Sequence, residues 1–300
     1  MTAGCDGRVC VVTGGGRGIG QAHAQALAAA GARVVVNDVG ATKDGAGPAS
    51  SVAQAAAELI RAAGGQAVAH SGDVSTEEGA QSLIHCALDT WGRLDTVINN
   101  AGILRDKMLV SMEISDWDSV LQVHLRSTFL VSRLAAQHWR QLHKRGQPID
   151  ARIINTTSSS GLYGNVGQSN YGAAKAAIAA FTVITSMELE RYGITVNALC
   201  PTALTRMTAD TRFGESPDAR AGTLDPRWVS PVLVWLAGSQ SAGITGRVLV
   251  ASGRNVAIAE GWRRGPTAPP IDNPDAADAI LRPLLERAQP NANMRGEIVA

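Results

Sequence analysis

Three side chains between Ile153 and Lys175 have the types and the spacing needed for proton transfer. Tyr171 and Lys175 lie four residues apart in an alanine-rich segment, so a helix there places both on one face. Ser158 precedes them, close to the end of an apolar run that predicts a strand. A strand end and a facing helix can bring these groups into one pocket. A hydroxyl, a phenol and an ammonium together suit proton exchange with an alcohol or carbonyl oxygen.

The chemistry of the trio depends on the acidity of the phenol. A tyrosine has a reference pKa of about 10 and is a poor base near neutral pH. A protonated Lys175 favours the phenolate, so the pair predicts a lowered pKa for Tyr171. Ser158 is predicted to hold the substrate oxygen by a hydrogen bond while charge develops there. An isolated Tyr-x-x-x-Lys pair is more often an ordinary surface pair, so the rest of the chain has to decide.

The composition indicates a soluble globular chain with an ample core. Its 300 residues suit one large α/β domain or two small ones, with 45% hydrophobic and 18% charged residues. A net charge of +1 gives no electrostatic basis for binding nucleic acid or an anionic membrane. No apolar run approaches the ~18 residues of a membrane span, and the first residues do not form a secretion signal.

The cysteines favour a reducing compartment. Cys5, Cys10, Cys86 and Cys200 are scattered, without the paired spacing of a metal site or a redox motif. We therefore expect reduced thiols, a cytoplasmic location and no metal.

A glycine-rich turn between a buried strand and a helix predicts a dinucleotide site. The short β-branched run Arg8–Thr13 leads into TGGGRGIG at Thr13–Gly20, and an alanine-rich helix follows to about Ala30. Glycines let the backbone approach a pyrophosphate, which rests on the positive N-terminus of the helix. The expected cofactor contacts in this turn are Gly14, Arg17, Gly18, Ile19 and Gly20.

The second predicted strand, Arg33–Asp38, bears on the choice of cofactor. Asp38 can accept hydrogen bonds from both adenosine ribose hydroxyls and repels a 2′-phosphate, which favours NAD. Arg17 argues the other way, because a basic residue in the glycine turn can pair with that phosphate. We give Asp38 more weight, since a carboxylate beside a dianion costs more than a distant arginine returns.

The remaining chain continues the alternation of strands and helices. Asp73 and Val74, after the third strand, are candidate adenine neighbours, although a helix cap is an equal alternative. Asn100 follows the fourth strand, and one long helix is predicted over Asp116–Leu142. The irregular segment Pro201–Arg227 predicts a substrate lid.

The chain is divided into two parts by its composition. Residues 1–264 are predicted to form the cofactor-binding domain, and residues 265–300 a tail with one short helix near Ala276–Ala288. The tail is expected to be a loosely held end, the alternative being a cover for a neighbouring subunit's pocket.

Taken together, these motifs resemble the short-chain dehydrogenase/reductase family. The matching marks are Thr13-Gly14-x-x-x-Gly18-x-Gly20, Asp38, Asn99-Asn100-Ala101-Gly102, Ser158 and Tyr171-x-x-x-Lys175. The resemblance covers about Arg8 to Gly253. It implies a doubly wound α/β Rossmann fold with a seven-stranded parallel sheet and helices on both faces, in homodimers or homotetramers. It also implies that Ser158, Tyr171 and Lys175 are catalytic, and that Tyr171, Lys175 and Asn100 contact the cofactor.

A closer likeness extends to one group within the family. The phrases NDVG, NNAGILRDK, VHLRSTF and GLYGNVGQSNYGAAK are similar to the (3R)-hydroxyacyl-CoA dehydrogenase portion of peroxisomal multifunctional enzymes and their bacterial relatives. This implies oxidation of a 3-hydroxyacyl-CoA, or of a hydroxysteroid, with NAD⁺. The wider family has an asparagine at the position of His124, where it helps to hold a water between the lysine and solvent. His124 is therefore included among the candidate catalytic residues. Pro201-Thr202 replaces the family's usual Pro-Gly.

Two alternatives remain open. An NADPH-dependent 3-oxoacyl reductase, working in the opposite direction, is supported by Arg17. A non-catalytic dinucleotide-binding protein is a candidate of another class, but mere binding does not require Ser158, Tyr171 and Lys175 together.

Overall fold

A computed structural model describes residues 4–40, 51–204, 215–271 and 273–298 of the chain. Strands and helices alternate through most of it, as the sequence pattern predicts. The strands are β1 (Val9–Thr13), β2 (Arg33–Asn37), β3 (Gln66–His70), β4 (Thr96–Asn99), β5 (Ala151–Thr156), β6 (Ile194–Pro201), β7 (Val248–Ala251) and β8 (Val256–Ala259). The helices are α1 (Gly18–Ala29), α2 (Ser51–Ala62), α3 (Glu77–Trp91), α4 (Ile114–Leu121), α5 (Ser127–Lys144), α6 (Ser159–Tyr163), α7 (Ser169–Leu189), α8 (Pro217–Arg220), α9 (Ser230–Ala237) and α10 (Ala277–Arg287).

The strands form one sheet in the order β3-β2-β1-β4-β5-β6-β7-β8. The first seven are parallel, in registers that set Val11 beside Val35 and Ile98 beside Ile154. This confirms the doubly wound α/β fold. The strand order changes direction between β1 and β4, and ligands of open α/β sheets bind at the carboxyl ends of the strands beside such a switch point.

The predicted count of seven strands needs correction, because β8 adds an eighth strand that is antiparallel to β7. The two are joined by a tight turn in which the Ser252 nitrogen donates to the Asn255 oxygen at 3.0 Å. Antiparallel neighbours need no helical crossover, so no helix pattern announces the strand. Val256 and Ile258 of this short strand are exposed, and it lacks the long apolar run of a central strand.

Helices cover both faces of the sheet, as predicted. The core on one face lies under α1, α2 and α9, and includes Leu27, Ile60 and Leu233. The core on the other face lies mainly under α3 and α5, and includes Leu83 and Trp139. Successive residues of the parallel strands enter opposite cores, which explains why these strands carry apolar residues on both faces.

The single long helix predicted over Asp116–Leu142 is interrupted. Helices α4 and α5 are joined by a π-helical turn, Gln122–Arg126, that contains His124. A π-helical turn changes the direction in which its side chains leave the helix, and such turns are frequent at functional sites. Apolar spacing on either side of the turn stays helical, so the sequence pattern does not show the break.

A chain of buried side-chain amides and hydroxyls connects α5 and α7 along one face of the sheet. The Asn99 Nδ2 group donates to Ser132 Oγ at 2.9 Å and to Asn155 Oδ1 at 2.8 Å. The Asn155 Nδ2 group donates to Thr182 Oγ1 at 2.9 Å. Asn99 and Asn155 are register partners in β4 and β5. Buried polar groups that are paired in this way fix the relative positions of the elements carrying them.

Helix α7 is unusually apolar for a helix at a sheet surface. Together with the turn that follows, it forms the segment Ser169–Tyr192, which is long and apolar enough to cross a membrane by length and composition alone. One side of α7 packs on the sheet, where Ala179 joins a cluster with Ala198 and Cys200 of β6. Its opposite side exposes Val183, Ile184 and Met187.

Parts of the predicted lid and tail are described. Residues 205–214 of the predicted lid, and residues 41–50 of the glycine-rich insertion, lie outside the described residues. The remainder of the lid segment contains α8 and a short turn at Pro226–Trp228. Helix α10 lies where the tail helix is predicted. The division between a domain of residues 1–264 and a tail of residues 265–300 stays a prediction.

Candidate active site

The structure brings Ser158, Tyr171 and Lys175 together at the carboxyl end of β5. Ser158 is the N-cap of α6, and its hydroxyl accepts a hydrogen bond from the Ser160 nitrogen at 3.2 Å. Tyr171 and Lys175 leave the same face of α7, and the Ser158 side chain lies close enough to the Tyr171 hydroxyl to lower its pKa. The Lys175 Nζ atom lies 5.7 Å from the centre of the Tyr171 ring. The predicted proximity of the three groups is therefore found, while their catalytic roles remain predictions.

Lys175 is fixed by contacts to the end of β5. Its side chain is 3% exposed, and Nζ donates to the Thr156 carbonyl at 2.6 Å. The Thr157 hydroxyl donates to the Lys175 carbonyl at 2.7 Å. These two hydrogen bonds fasten both the backbone and the side chain of Lys175 to the same strand end. The ammonium position is thus set by the sheet itself.

Burial controls the acidity of both groups. Burial raises the pKa of Tyr171 to about 12, with Cys200 and Asp106 acting in the same direction and the hydrogen bond from Ser158 opposing them. Burial lowers the pKa of Lys175 to about 7, against a smaller opposing effect of Cys200. The lowered Tyr171 pKa expected from the lysine is not found, because burial of the phenol in a low-dielectric site disfavours the phenolate.

His124 lies beside the trio, in the π-helical turn. Its side chain is 2% exposed, and its ring meets the Tyr171 ring edge-on with 5.2 Å between the centres. Gly102 leaves room for it, since a Cβ there would lie 2.4 Å from the His124 Cε1 atom. Burial, and secondly Lys175, lower the pKa of His124 to about 3, while a hydrogen bond to Ile103 opposes them. The imidazole is therefore neutral at any physiological pH.

One ring nitrogen of His124 is bonded and the other is not. Nε2 lies 3.0 Å from the Ile103 nitrogen and 2.8 Å from the Ile103 oxygen, so either tautomer finds a partner there. Nδ1 is buried and has no hydrogen-bond partner in the described part of the chain. A buried nitrogen of this kind is a place for a bound water or a ligand atom.

The glycine turn has the form of a phosphate cradle. A Cβ on Gly20 would lie 2.1 Å from the Gly14 oxygen, so only glycine allows this close approach. Helix α1 begins at Gly18, with no side-chain cap and no acidic residue in its first turn. Its first N–H groups and the positive end of its dipole can thus receive an anion. The residues fit the pyrophosphate of a dinucleotide.

Asn100 supports this turn from the adjacent strand. Its Nδ2 group donates to the Thr13 oxygen at 3.0 Å and to the Gly14 oxygen at 3.1 Å. The Thr13 hydroxyl accepts from the Asn100 and Ala101 nitrogens. Among the groups described, Asn100 thus holds the cradle; direct contact with the cofactor stays a prediction.

Asp38 lies at the rim of the glycine turn. One carboxylate oxygen accepts from the Gly16 nitrogen at 3.0 Å and the other from the Gly40 nitrogen at 2.8 Å. Each oxygen retains a lone pair, so the half-buried carboxylate can still accept from ribose hydroxyls. Arg17 is exposed at the start of α1, and Ile19 is half-buried against the core.

The candidate adenine neighbours have structural partners. Asp73 accepts from the Ser75 nitrogen at 2.9 Å, in a local turn ahead of α3. Thr76, rather than Asp73, is the N-cap of α3. Val74 is 5% exposed and packs in the core. Adenine contact by Asp73 and Val74 stays a prediction.

Sequence reasoning missed one neighbour of the site, Cys200. Burial raises the pKa of this thiol to about 12, with Lys175 and a hydrogen bond to Ser159 opposing. The same residue acts on the pKa values of Tyr171 and Lys175. Its position near the end of β6, directly before Pro201-Thr202, is the only signal that the sequence offers.

The chain is similar to known dehydrogenases over most of its length. A family model described as short chain dehydrogenase matches residues 8–215. The chain is 44% identical to the hydroxyacyl-CoA dehydrogenase ChsB1 of Mycobacterium tuberculosis over 86% of this chain and 81% of that protein. It is 42% identical to the peroxisomal multifunctional enzyme type 2 of Mus musculus over 77% of this chain and 30% of that longer protein. These matches confirm the resemblance drawn from the motifs.

A solved structure supports the fold in detail. The crystal structure of a short chain dehydrogenase from Mycobacterium avium has a TM-score of 0.86 and 44% sequence identity. The match covers 96% of this chain and 98% of that one. It therefore extends beyond the Rossmann sheet into the tail.

The buried ammonium of Lys175 predicts a specific dependence of stability on pH. Its pKa is about 7 in the folded protein, against an unperturbed value of 10.5. Below about pH 7 folding has to bury the charged ammonium, which costs free energy of unfolding. That cost falls as the pH rises from the folded-state pKa of about 7 to the unperturbed value of 10.5. Lys175→Met should therefore raise the melting temperature over the parent most at about pH 6, with the difference shrinking toward about pH 9. Differential scanning fluorimetry across that range measures it.

A matched control is Lys144→Met, which removes an exposed lysine at the end of α5. The difference in melting temperature between Lys144→Met and the parent should not change over the same pH range. The hydrogen bond lost to Thr156 adds only a constant offset to the Lys175 variant. A difference for Lys175→Met that is equal at both ends of the range would contradict burial of the charge.

Proposed function

The chain belongs to the short-chain dehydrogenase family, and we propose that it oxidises the secondary alcohol of a 3-hydroxyacyl-CoA with NAD⁺. Family membership makes it an oxidoreductase that acts on CH–OH groups and uses a nicotinamide dinucleotide. The observation that carries the proposal is the contact of Ser158, Tyr171 and Lys175 at the sheet edge beside the glycine cradle. A hydroxysteroid is the alternative substrate.

The proposed chemistry assigns one task to each group. Ser158 orients the substrate hydroxyl, and Tyr171 removes its proton as the carbinol carbon is oxidised. A bound oxidised nicotinamide supplies the hydride acceptor and a positive charge. Lys175 favours the phenolate of Tyr171 whenever it is protonated. Because burial alone raises the pKa of Tyr171, the phenolate needs such positive charge beside it.

The choice of substrate rests on the relatives. The Mycobacterium tuberculosis relative is named as a hydroxyacyl-CoA dehydrogenase, and its alignment covers most of both chains. The mouse relative is a longer, peroxisomal multifunctional enzyme, of which the alignment covers a smaller share. The first of these supports the acyl-CoA over the steroid.

The choice of NAD rests on Asp38. Its carboxylate is fixed by two backbone N–H groups at the rim of the cradle, where a 2′-phosphate would meet negative charge. The exposed Arg17 is the observation that favours the alternative, an NADPH-dependent 3-oxoacyl reductase. We propose NAD because the carboxylate is held in place.

We also propose a homodimer or homotetramer, with α7 in the interface. One side of α7 is an exposed apolar stripe at helical spacing, formed by Ala173, Ala176, Ala180, Val183, Ile184 and Met187. Small residues allow close approach of a second helix, and the larger ones supply area to bury. A stripe of this length is unfavourable in water and is typical of a contact surface.

The proposed location is the cytoplasm. The described cysteines are all free thiols, three of them buried, which suits a reducing compartment. No partner other than a small-molecule substrate, the cofactor and further copies of the chain is proposed.

Removal of the phenol hydroxyl tests the catalytic proposal. Tyr171→Phe should lower turnover of 3-hydroxyacyl-CoAs by about 10²–10⁴-fold, because the proton acceptor is lost. NADH binding, followed by fluorescence, should persist because the cradle is intact. The assay is NAD⁺ reduction against 3-hydroxyacyl-CoAs, hydroxysteroids and simple secondary alcohols. Tyr192→Phe, a tyrosine that packs against His143 far from the trio, is the control. Parent-like turnover in Tyr171→Phe would exclude the role.

A charge change at the cradle rim tests the cofactor. The parent should bind NADH more tightly than NADPH. Asp38→Asn should raise the affinity for NADPH relative to that for NADH by about tenfold or more, because it removes a carboxylate that repels the 2′-phosphate. Fluorescence titration of both cofactors measures the ratio. Asp89→Asn, at an exposed acid in α3, should leave the ratio unchanged. A parent that prefers NADPH would favour the reductase alternative.

Charges on the apolar stripe test the assembly. The double variant Ile184→Lys with Met187→Lys should dissociate the oligomer, because two ammonium groups would have to be buried at the interface. Light scattering after gel filtration gives the mass. Leu59→Lys, at a similarly exposed apolar residue in α2, should leave the mass unchanged. A parent that is monomeric at micromolar concentration would remove the proposal.

A further inference from the structure

Asn170, the residue before Tyr171, is a polar side chain without access to solvent. It is 0% exposed and is the second residue of α7, whose N-cap residue, Gln168, makes no side-chain cap. The Tyr171 nitrogen belongs to the first turn of the helix, where N–H groups have no acceptor within the helix. Asn170 Oδ1 accepts from that nitrogen at 2.7 Å. Asn170 therefore satisfies the backbone of the residue proposed to remove the proton.

The other end of the Asn170 side chain contacts two further elements. Its Nδ2 group donates to the Arg105 oxygen at 3.0 Å, in the segment that follows β4. The same group donates to the Asp116 oxygen at 3.4 Å, in the first turn of α4. An amide is planar, so its donors and its acceptor have fixed relative positions. One buried side chain thus joins the start of α7 to two other parts of the chain.

The segment that receives this amide also holds the neighbour of the phenol. We call residues 103–107 the strut. At one end of the strut the backbone of Ile103 is hydrogen-bonded to His124, whose ring packs on the phenol ring. At the other end the Lys107 nitrogen donates to the Gly167 oxygen at 2.9 Å, just ahead of α7. The contact with the amide lies between these two ends.

An ion-pair cluster fixes the strut to α4. The Asp116 side chain is almost fully buried, with the Lys107 Nζ atom 2.8 Å from one carboxylate oxygen and the Arg105 Nη1 atom 3.7 Å from the other. The Lys107 ammonium holds the pKa of Asp116 below its usual range, so the carboxylate is charged at neutral pH. Both basic residues of the strut are therefore paired with the helix whose backbone Asn170 contacts.

We propose that Asn170 is a positioning residue, which fixes the start of α7 on the strut and so sets the place of the Tyr171 hydroxyl relative to Ser158. The proposal rests on the proposed function, because it assigns a role within the same site. Asn170 is completely buried, so it does not touch the substrate or the cofactor and takes no part in the proton transfer. It acts through geometry, since a displacement of about 1 Å between reacting groups costs about 10²-fold in rate.

Removal of the amide tests this role. Asn170→Ala should lower the kcat for 3-hydroxyacyl-CoA oxidation by about 10–100-fold, because the start of α7 is released from the strut. The KM and the affinity for NADH should stay within about twofold of the parent, because the residues that contact the ligands are unchanged. Steady-state NAD⁺ reduction and fluorescence titration with NADH measure these quantities.

Asn197→Ala is a matched control for the loss of a buried amide. Asn197 is 1% exposed in β6, where it donates to the Ile244 oxygen at 2.7 Å and accepts from the Arg247 nitrogen at 3.1 Å. Both variants should lower the melting temperature, because each leaves a buried donor and a buried acceptor unpaired. Only Asn170→Ala should lower kcat. An equal fall in kcat for the two variants would overturn the proposal.

A conservative variant, Asn170→Asp, adds a test by rescue. A neutral carboxyl has the shape of the amide, and can accept from the Tyr171 nitrogen while it donates to the Arg105 oxygen. An ionised carboxylate cannot donate. The kcat of Asn170→Asp should therefore approach that of the parent at about pH 5.5, because burial favours the neutral carboxyl. An Asn170→Asp variant that is as slow as Asn170→Ala at this pH would contradict the proposal.

A spectroscopic readout does not depend on the substrate. The chain contains three tyrosines, so carbon-13 labelling at Cζ gives three signals, and Tyr171→Phe identifies the one from Tyr171. That signal should shift in Asn170→Ala and stay in place in Asn197→Ala. An unmoved Tyr171 signal in Asn170→Ala would overturn the proposal. If the parent oxidises no acyl-CoA and no other alcohol, the proposed function fails, and the Tyr171 signal still decides whether Asn170 positions the phenol.

Discussion

Everything at this site depends on holding an ammonium away from water at the end of a strand. Lys175 is tied to β5 by its side chain through the Thr156 carbonyl and by its backbone through the Thr157 hydroxyl. A single neutral acceptor compensates little of the lost hydration, and the pKa of Lys175 falls to about 7 for that reason. The charge on the lysine therefore depends on its surroundings, and an added charge next to it will change its state. Because the pKa of Lys175 in the folded protein is about 7, binding of a charged group beside it can change its protonation state.

The space around the phenol is shaped by two backbone features. The π-helical turn directs His124 inward, and the glycine at position 102 leaves room for its ring. The ring then packs edge-on to Tyr171, and keeps Nδ1 buried and unsatisfied within the described structure. A neutral imidazole with one unpartnered nitrogen offers a place for a bound water. These positions depend on one another, since a side chain at Gly102 would displace His124 and with it the neighbour of the phenol.

Much of the fold and the trio could be predicted from sequence because the signals are local. Buried parallel strands are apolar runs, and Tyr171 and Lys175 share a face through simple helix geometry. The break at His124 could not be predicted, because an inserted residue leaves the apolar spacing on either side intact. The sequence pattern does not predict β8, because its residues are few and mostly exposed. A hairpin of that kind carries no distinctive run.

Other features depend on the whole molecule. The direction of the Tyr171 pKa was predicted wrongly because a pairwise rule considered the lysine and omitted the burial of both groups. The support that Asn100 gives to the backbone of the glycine turn is a contact that its motif does not specify. The contact of Gly296 with Tyr163 joins distant parts of the chain, and no periodicity encodes it. Burial, and contacts between residues that are distant in sequence, arise only in the folded chain.

The buried hydrogen bonds from Ser132 through Asn99 and Asn155 to Thr182 couple the four side chains energetically. Replacing any single amide by an alkyl group strands its neighbours, whereas exchanging all four for matched hydrocarbon would leave nothing unpaired. Effects measured one at a time at these positions should not add. A stabilised variant would therefore need all four residues replaced together, or none of them.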